Sequence, residues 1–306
     1  MGAKGDLIFV ILIIVALGFV WVFTGGPERA RNQGVFIKPP APLDSGGTYG
    51  EINVGGGTQV KVGTGSEGTA DTGQDETTIE ISEFENKISI KSSSTGPKKS
   101  VVLKEYITLT ASSRNKEKVS ITGWKLESMI SKNQVTIGGA TEVYRSGLVN
   151  SEPALKLSPG ETVVISTGFS PLGASFKINK CSGYQEQFQD FFPKLSKKCP
   201  HSDDEFDDIV SSIPITDNVC EDFVDKISRC EMVVDAFPLG TSSQCSEFVS
   251  DTLNYTGCVK KHRNDLDFFT KEWRVFLGRN TELWRKSREE IRLIDSSGKV
   301  VDTYTY

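Results

Sequence analysis

The residues with the clearest chemistry are the six cysteines of this 306-residue chain, and all of them lie in one segment. An even number of cysteines packed into one stretch is typical of disulfides that form in an oxidising compartment. The sequence therefore predicts disulfide bonds and an exported protein. The residues concerned are Cys181, Cys199, Cys220, Cys230, Cys245 and Cys258.

The pairing of these cysteines follows from their positions if the segment folds as an antiparallel helical hairpin. Contacting positions in such a hairpin have nearly constant sums of residue numbers. This rule favours two nested bonds and one short loop: Cys220–Cys258, Cys230–Cys245 and Cys181–Cys199. Six cysteines allow many other connectivities, which stay open at this point.

Metal binding is the alternative use of such residues. The chain has only two histidines, His201 and His262, which lack metal-type spacing, and no C-x-x-C occurs. The acidic run at 203–208 contains no glycine for the sharp turn of a calcium loop. We interpret this run as the solvated face of a helix, with a weak cation site as the alternative. We expect no metal and no cofactor.

Catalytic patterns are missing from the sequence. Neither histidine belongs to a recognisable nucleophile–base arrangement, and no G-x-S-x-G is present. His262 lies in a basic run, Lys260 to Arg263, which we expect to face water. The glycine-rich stretches lack the pattern of a phosphate-binding loop. We therefore predict that the protein is not an enzyme.

Aromatic and basic residues alternate near the C-terminus, a pattern that binds single-stranded nucleic acid or sugars by stacking. In the alternative interpretation, the aromatic side chains belong to the core and the arginines are solvated. The net charge of −5 provides no basic field for nucleic acid. If a ligand binds, we expect it at this site, whose members are Trp273, Arg274, Trp284 and Arg285.

The stretch from Glu105 to Leu126 indicates the architecture that must position these residues. Its apolar residues alternate with polar ones, which predicts strands with one buried face. The polar interruption at 112–118 predicts a hairpin loop, and Gly123 stands where the alternation shifts. The last residues, 290–306, alternate in the same way around a turn at 295–298 and are the expected partner. The pattern predicts a mainly β protein, a β-sandwich.

Four segments in this order resemble the lamin-tail domain: EYITL, ITGWKL, LSPGETVVI with TGFSP, and EEIRLIDSSGKVVDTYTY. That family has an immunoglobulin-like β-sandwich and occurs in nuclear lamins and in many bacterial exported proteins. The resemblance covers residues 79–180 and 281–306. It implies a binding or positioning module, because no catalytic residues belong to that fold. The chain departs from the family by its long cysteine-rich insertion.

The insertion is predicted to be helical. Apolar residues at helical spacing predict helices over 219–234, 243–254 and 265–276, and an aromatic helix that ends at Pro193. The expected result is a small disulfide-linked α-helical subdomain inserted into the sandwich, with too little core of its own to be stable without crosslinks.

The N-terminal part predicts a membrane tether. Residues 7–23 carry no charge and are long enough for a single transmembrane helix in contact with the lipid bilayer. A cleaved signal peptide is the alternative. Basic residues after this run favour a cytoplasmic C-terminal body, whereas the cysteines favour export. We give the cysteines more weight and predict an exported body. The Gly-, Ser- and Pro-rich stretch that follows predicts a flexible linker.

The expected organisation is an anchor (1–26), a linker (27–77), the first part of the sandwich (78–180), the insertion (181–280) and the final strands (281–306). This organisation predicts a single-pass membrane protein whose extracytoplasmic body is a binding or scaffold module with a protein partner in the cell envelope. A cell-envelope hydrolase subunit and a tethered receptor for nucleic acid or glycan are the alternatives.

Overall fold

The computed structural model describes residues 80–91, 95–210 and 218–306. The predicted anchor, including its contact with lipid through residues 7–23, and the linker at 27–77 lie outside the described residues. Within the described ranges, no helix has the length and apolar character needed to cross a membrane.

Eleven strands and four α-helices lie in these ranges. The strands are β1 (Ile88–Ile90), β2 (Tyr106–Ala111), β3 (Val119–Ser120), β4 (Lys125–Ser128), β5 (Gln134–Thr136), β6 (Lys156–Leu157), β7 (Thr162–Ser166), β8 (Phe176–Asn179), β9 (Phe269–Phe276), β10 (Glu290–Ile294) and β11 (Val300–Thr305). The helices are α1 (Ser202–Val210), α2 (Asn218–Val224), α3 (Ser243–Thr252) and α4 (Tyr255–His262).

Two sheets, which we call the β frame, contain nine of these strands. The first sheet has the order β1-β2-β7-β9-β8, and the second has the order β11-β10-β4-β5. β3 and β6 form a separate pair. Residues of both sheets meet in a single hydrophobic core, so the predicted β-rich architecture is confirmed. Members of that core from both sheets include Trp124, Ile107, Leu109, Leu126, Ile165, Trp273, Ile291 and Leu293.

The alternation in the sequence corresponds to burial in the strands. Ile107 and Leu109 of β2 are buried, as are Ile291 and Leu293 of β10. β10 pairs with β4 and with β11 in antiparallel register, so the C-terminal strands are partners of the stretch that begins at Glu105, as predicted. Gly123 has a φ of +87°, a backbone conformation that glycine adopts without strain.

The predicted hairpin between β2 and β3 is wrong. β2 pairs with β1 and β7, whereas β3 pairs with β6. Residues 112–118 therefore connect two different sheets. Alternation shows which face of a strand is buried, but it does not show which strand will pair with it.

The predicted helix over 265–276 is also wrong, because residues 269–276 form β9. This strand lies inside the first sheet, where it pairs parallel with β7 and antiparallel with β8. Leu266, which the helix prediction placed on an apolar face, is fully exposed. A spacing of three and four positions between apolar residues is compatible with a helix, but it is equally compatible with a short strand that follows a loop. The inserted part therefore ends before β9, and we call residues 181–268 the helical segment.

The remaining helices are shorter than predicted. The predicted helix at 219–234 is helical only over α2, and the aromatic segment contains a single 3₁₀ turn, Ser182–Glu186. The helix predicted at 243–254 is confirmed as α3, capped by Ser242. A further helix, α4, was not predicted; the side chain of Asn254 caps it by accepting a hydrogen bond from the backbone N–H of Gly257.

All six cysteines form disulfides, as predicted, but all three predicted pairs are wrong. The hairpin rule assumed continuous helices on both sides of one loop. The chain instead leaves helical geometry after α2, and Cys230 has a φ of +60°. The additional helix α4 places Cys258 beside the end of β8. The bonds are Cys181–Cys258, Cys199–Cys230 and Cys220–Cys245.

Candidate ligand-binding cleft

The sequence-predicted contact residues Trp273 and Arg274 lie in β9 and are both only 4% exposed. The indole N–H of Trp273 donates to Glu161 Oε2 at 3.1 Å. The guanidinium of Arg274 donates to the carbonyl oxygen of Pro193 at 2.7 Å and to Glu272 Oε1 at 2.8 Å. Arg274 thus attaches the start of the helical segment to the sheet. Trp273 borders a groove beside the loop at 141–150, but the ammonium of Lys177 lies over its ring, 5.0 Å from the centroid.

Trp284 and Arg285 are separated in the same way. Trp284 is 5% exposed and belongs to the core of the β frame, whereas Arg285 is exposed. Glu105 holds this stretch in place, because its carboxylate accepts the backbone N–H groups of Leu283 and Trp284 at 2.8 and 3.2 Å. Burial raises the pKa of Glu105, although these hydrogen bonds oppose the shift. The prediction of one aromatic and basic contact site is therefore wrong, and only Arg285 is accessible.

The acidic run and His262 meet where α1 packs on the end of α4. His262 is mostly buried rather than facing water, and its Nε2 lies 2.6 Å from Glu205 Oε1 while its Nδ1 lies 2.8 Å from Asp265 Oδ2. Asp204, Asp207 and Asp208 are exposed, as a solvated helix face requires, but Glu205 of the same run is buried, which the sequence did not predict. Over the ranges that the structure describes, no group of histidine, cysteine and acidic side chains has an arrangement suited to a metal ion.

A different site lies where the helical segment meets the β frame. A cleft of about 300 Å³ separates the loop at 141–150 from α4, and we call it the junction cleft. Each wall presents apolar and aromatic side chains together with one arginine. The loop contributes Tyr144, Arg145 and Leu148, and the helix contributes Tyr255, Val259 and Arg263.

Covalent and hydrogen bonds fix the helix wall of the cleft. A disulfide joins Cys258 of α4 to Cys181, which lies two positions after the end of β8. The buried hydroxyl of Tyr255 donates to the backbone carbonyl of Tyr144 at 3.0 Å, and the two rings lie 6.0 Å apart. Burial raises the pKa of Tyr255 to about 12, so this hydroxyl keeps its proton at physiological pH. These contacts fix the position of α4 relative to the loop.

The loop wall is fixed by its own backbone contacts. The backbone N–H of Thr141 donates to the carbonyl of Ser175, next to β8. The side chain of Asn150 accepts the N–H of Arg145 at 2.8 Å and donates to its carbonyl at 3.0 Å. The backbone of Arg145 is thereby held while its side chain remains exposed.

The charges around the cleft are unbalanced. Within the part of the chain that the structure describes, the guanidinium groups of Arg145 and Arg263 form no ion pair. The cleft lining contains no acidic residue. On the other side of the loop, a second groove of about 650 Å³ adds Lys118 and Lys156 against the single carboxylate of Glu142. A local positive charge thus remains on a chain whose net charge is −5.

None of these cleft residues was among the candidates predicted from sequence. The signal that was present is an aromatic–arginine pair, Tyr144-Arg145, in a stretch without strand or helix periodicity, where exposed functional residues are common. The opposite wall comes from Tyr255 to Arg263, more than a hundred residues later. Nothing in the local sequence of either stretch indicates the other.

Comparison with known proteins does not add a relative. No protein-family model matches the chain, and no curated protein is similar to it in sequence. The resemblance to the lamin-tail domain consequently remains a prediction based on the four segments in their order.

Proposed function

We propose that the protein is a non-catalytic binding module, held at a membrane by residues 7–23, whose extracytoplasmic body binds its ligand or partner in the junction cleft. The observation that carries this proposal is the cleft between Arg145 and Arg263, with one wall fixed by the Cys181–Cys258 disulfide. A site that needs little rearrangement loses less conformational entropy on binding.

The location outside the cytoplasm is supported by the use of the cysteines. All six are in disulfides, and such bonds persist in oxidising compartments but are rare in the cytosol. The Cys181–Cys258 disulfide also restrains α4, which forms one wall of the cleft.

The architecture of the proposed module is a lamin-tail-like, immunoglobulin-like sandwich. Two sheets on one core and the pairing of β10 with β4 are compatible with this assignment. In this proposal the β frame is the scaffold, and the helical segment completes the binding site beside β8.

Site-specific photo-crosslinking in cells tests the proposal. A photoreactive phenylalanine analogue replaces Leu148 at the cleft, or Ile130 as a control, since both are exposed and Ile130 does not line the cleft. We expect defined adducts from position 148 alone. Protease added to intact spheroplasts should digest the body together with its adduct.

Two results would contradict the proposal. Identical adducts from both positions, or none from position 148, would remove the cleft as the binding site. A body that stays intact until the membrane is lysed would place it in the cytoplasm.

A further inference from the structure

We infer that the junction cleft binds a compact ligand that combines an apolar or aromatic body with one carboxylate. This inference rests on the proposed binding function and adds the chemical class of the ligand. It is carried by two independent properties of the cleft, its apolar walls and its two uncompensated guanidinium groups.

The size and lining of the cleft define the body of the ligand. A volume of about 300 Å³ lies at the lower end of the range for small-molecule sites, about 300–1,000 Å³. Tyr144, Leu148 and Val259 provide aromatic and aliphatic surface for a ring or a branched chain. Leu148 is 62% exposed, and a ligand in the cleft would remove part of that surface from water.

The basic residues define the charged group. Arg145 and Arg263 approach the cleft from opposite walls and have no acidic partner in the described ranges. A guanidinium matches the planar geometry of a carboxylate and can bind it through two parallel hydrogen bonds. An anion near both groups would relieve their mutual repulsion.

The helix α4 adds to the same preference. Its first turn lines the cleft through Tyr255 and Thr256, and the N-terminal end of a helix carries a partial positive charge. Asn254 caps the N–H of Gly257, two positions after Tyr255. Arg145, Arg263 and the first turn of α4 all border the cleft, whose other lining residues carry no charge.

Two sources can supply this chemistry: a free aromatic or branched-chain acid, and the C-terminal residue of a peptide. Both present an apolar group beside a carboxylate. In the peptide case the preceding residues would continue into the neighbouring groove lined by Lys118 and Lys156.

The test uses two matched pairs of probes on the full-length oxidised protein in neutral lipid nanodiscs. Naphthalene-1-acetate is compared with naphthalene-1-acetamide, and the peptide Gly-Gly-Phe is compared with its C-terminal amide, by isothermal titration calorimetry. We expect naphthalene-1-acetate to bind about tenfold or more tightly than its amide, as charge-assisted hydrogen bonds imply. Tight binding of the peptide acid as well would identify peptide ends as the source, and its absence would identify free acids.

A double variant assigns the effect to the cleft. In Arg145→Gln with Arg263→Gln, the preference for the acid over the amide should fall to about one. The matched control, Arg114→Gln with Arg285→Gln, removes two exposed arginines elsewhere and should retain the preference. Unchanged amide binding in the first variant shows that the cleft is still folded.

Three outcomes would overturn the inference: equal affinity for acid and amide, a preference that survives in the cleft variant, or no binding of any of the four probes. Photo-crosslinking at position 148 tests the binding function independently of the ligand class. Adducts there with no preference for acids would reject the ligand class while leaving the binding function supported.

Discussion

The β frame and the helical segment reach stability by different means. The β frame has one continuous core to which both sheets contribute, and none of the six cysteines lies in it. The helical segment is divided among smaller apolar clusters, and the cystines are members of two of them. The longest helix among its described residues, α3, has ten residues. Isolated helices of this length are marginal in water, so packing and crosslinks must stabilise them.

This difference shows in which region a disulfide contributes most to the free energy of unfolding. In the β frame, burial of large side chains supplies the free energy, at about 1.5–3 kcal/mol for each fully buried Leu, Ile or Phe. In the helical segment, a disulfide limits the conformations of the unfolded chain and at the same time occupies a core position. Variants of each region should therefore produce different patterns of unfolding.

The largest effect is expected from removing residues 290–306. The deletion takes away β10 and β11, including the buried side chains of Ile291, Leu293 and Val301. We expect the cooperative thermal transition of the whole body to disappear, as measured by circular dichroism. Thr303→Ala, at an exposed position of β11, is the control and should melt like the natural protein. A truncated chain that still melts cooperatively would show that these strands are an appendage.

A smaller and local effect is expected from replacing both Cys181 and Cys258 by serine. This bond closes a loop of 77 residues, which the chain-entropy account values at about 4 kcal/mol. Hydrogen exchange should show lost protection in α4, whereas the β frame should keep its melting transition. Replacing Cys220 and Cys245, whose separation is 25 residues, should cost about 3 kcal/mol and spare α4. If either variant destabilised both regions equally, the distinction between them would be lost.

The smallest effect concerns a buried charge in the β frame. Asp295 lies in the turn between β10 and β11, and its carboxylate accepts the hydroxyl of Ser82 at 2.6 Å and the backbone N–H groups of Ser297 and Lys299. Burial would raise the pKa of Asp295, but these hydrogen bonds outweigh it and lower the pKa to about 2. The charged form therefore stabilises the folded state.

Because this folded-state pKa is depressed, the contribution of Asp295 is present above its unfolded pKa of about 4 and is lost as the pH falls towards about 2. Asp295→Asn should lower the free energy of unfolding by about 2 kcal/mol at neutral pH. In urea titrations at different pH, the variant should also lose less stability than the natural protein in the acid limb, the range where the pH falls from about 4 to about 2. Asp204→Asn, an exposed residue of α1, is the charge-matched control. An unchanged acid limb in Asp295→Asn would contradict this assignment.

The β frame was largely predictable because its signal is local. In β2 and β10 each strand has one face in the core, so Ile107, Leu109, Ile291 and Leu293 appear at alternate positions. Strand β9 has a neighbour on each side in the first sheet and is bounded by an exposed loop, so the local spacing around Trp273 also fitted a helix. The parallel pairing with β7 decided its conformation.

The junction cleft was not predictable for a different reason. Tyr144 and Tyr255 are adjacent only because the Cys181–Cys258 bond and the sheet position their two segments. The disulfide pairing itself depended on where α2 ends, and the predicted extension to 234 was too long. Non-local contacts of this kind leave no periodicity in either segment.

The parallel pairing of β7 with β9 also has a consequence for biogenesis. One edge of β7 has no partner until β9 emerges roughly a hundred residues later, and at about 5–20 residues per second this delay is about 5–20 s. All six cysteines are synthesised within that interval, because the last, Cys258, precedes β9. In the exported body proposed above, every thiol would thus emerge before β9 can close the sheet, and the order of elements along the chain would set when crosslinking is possible.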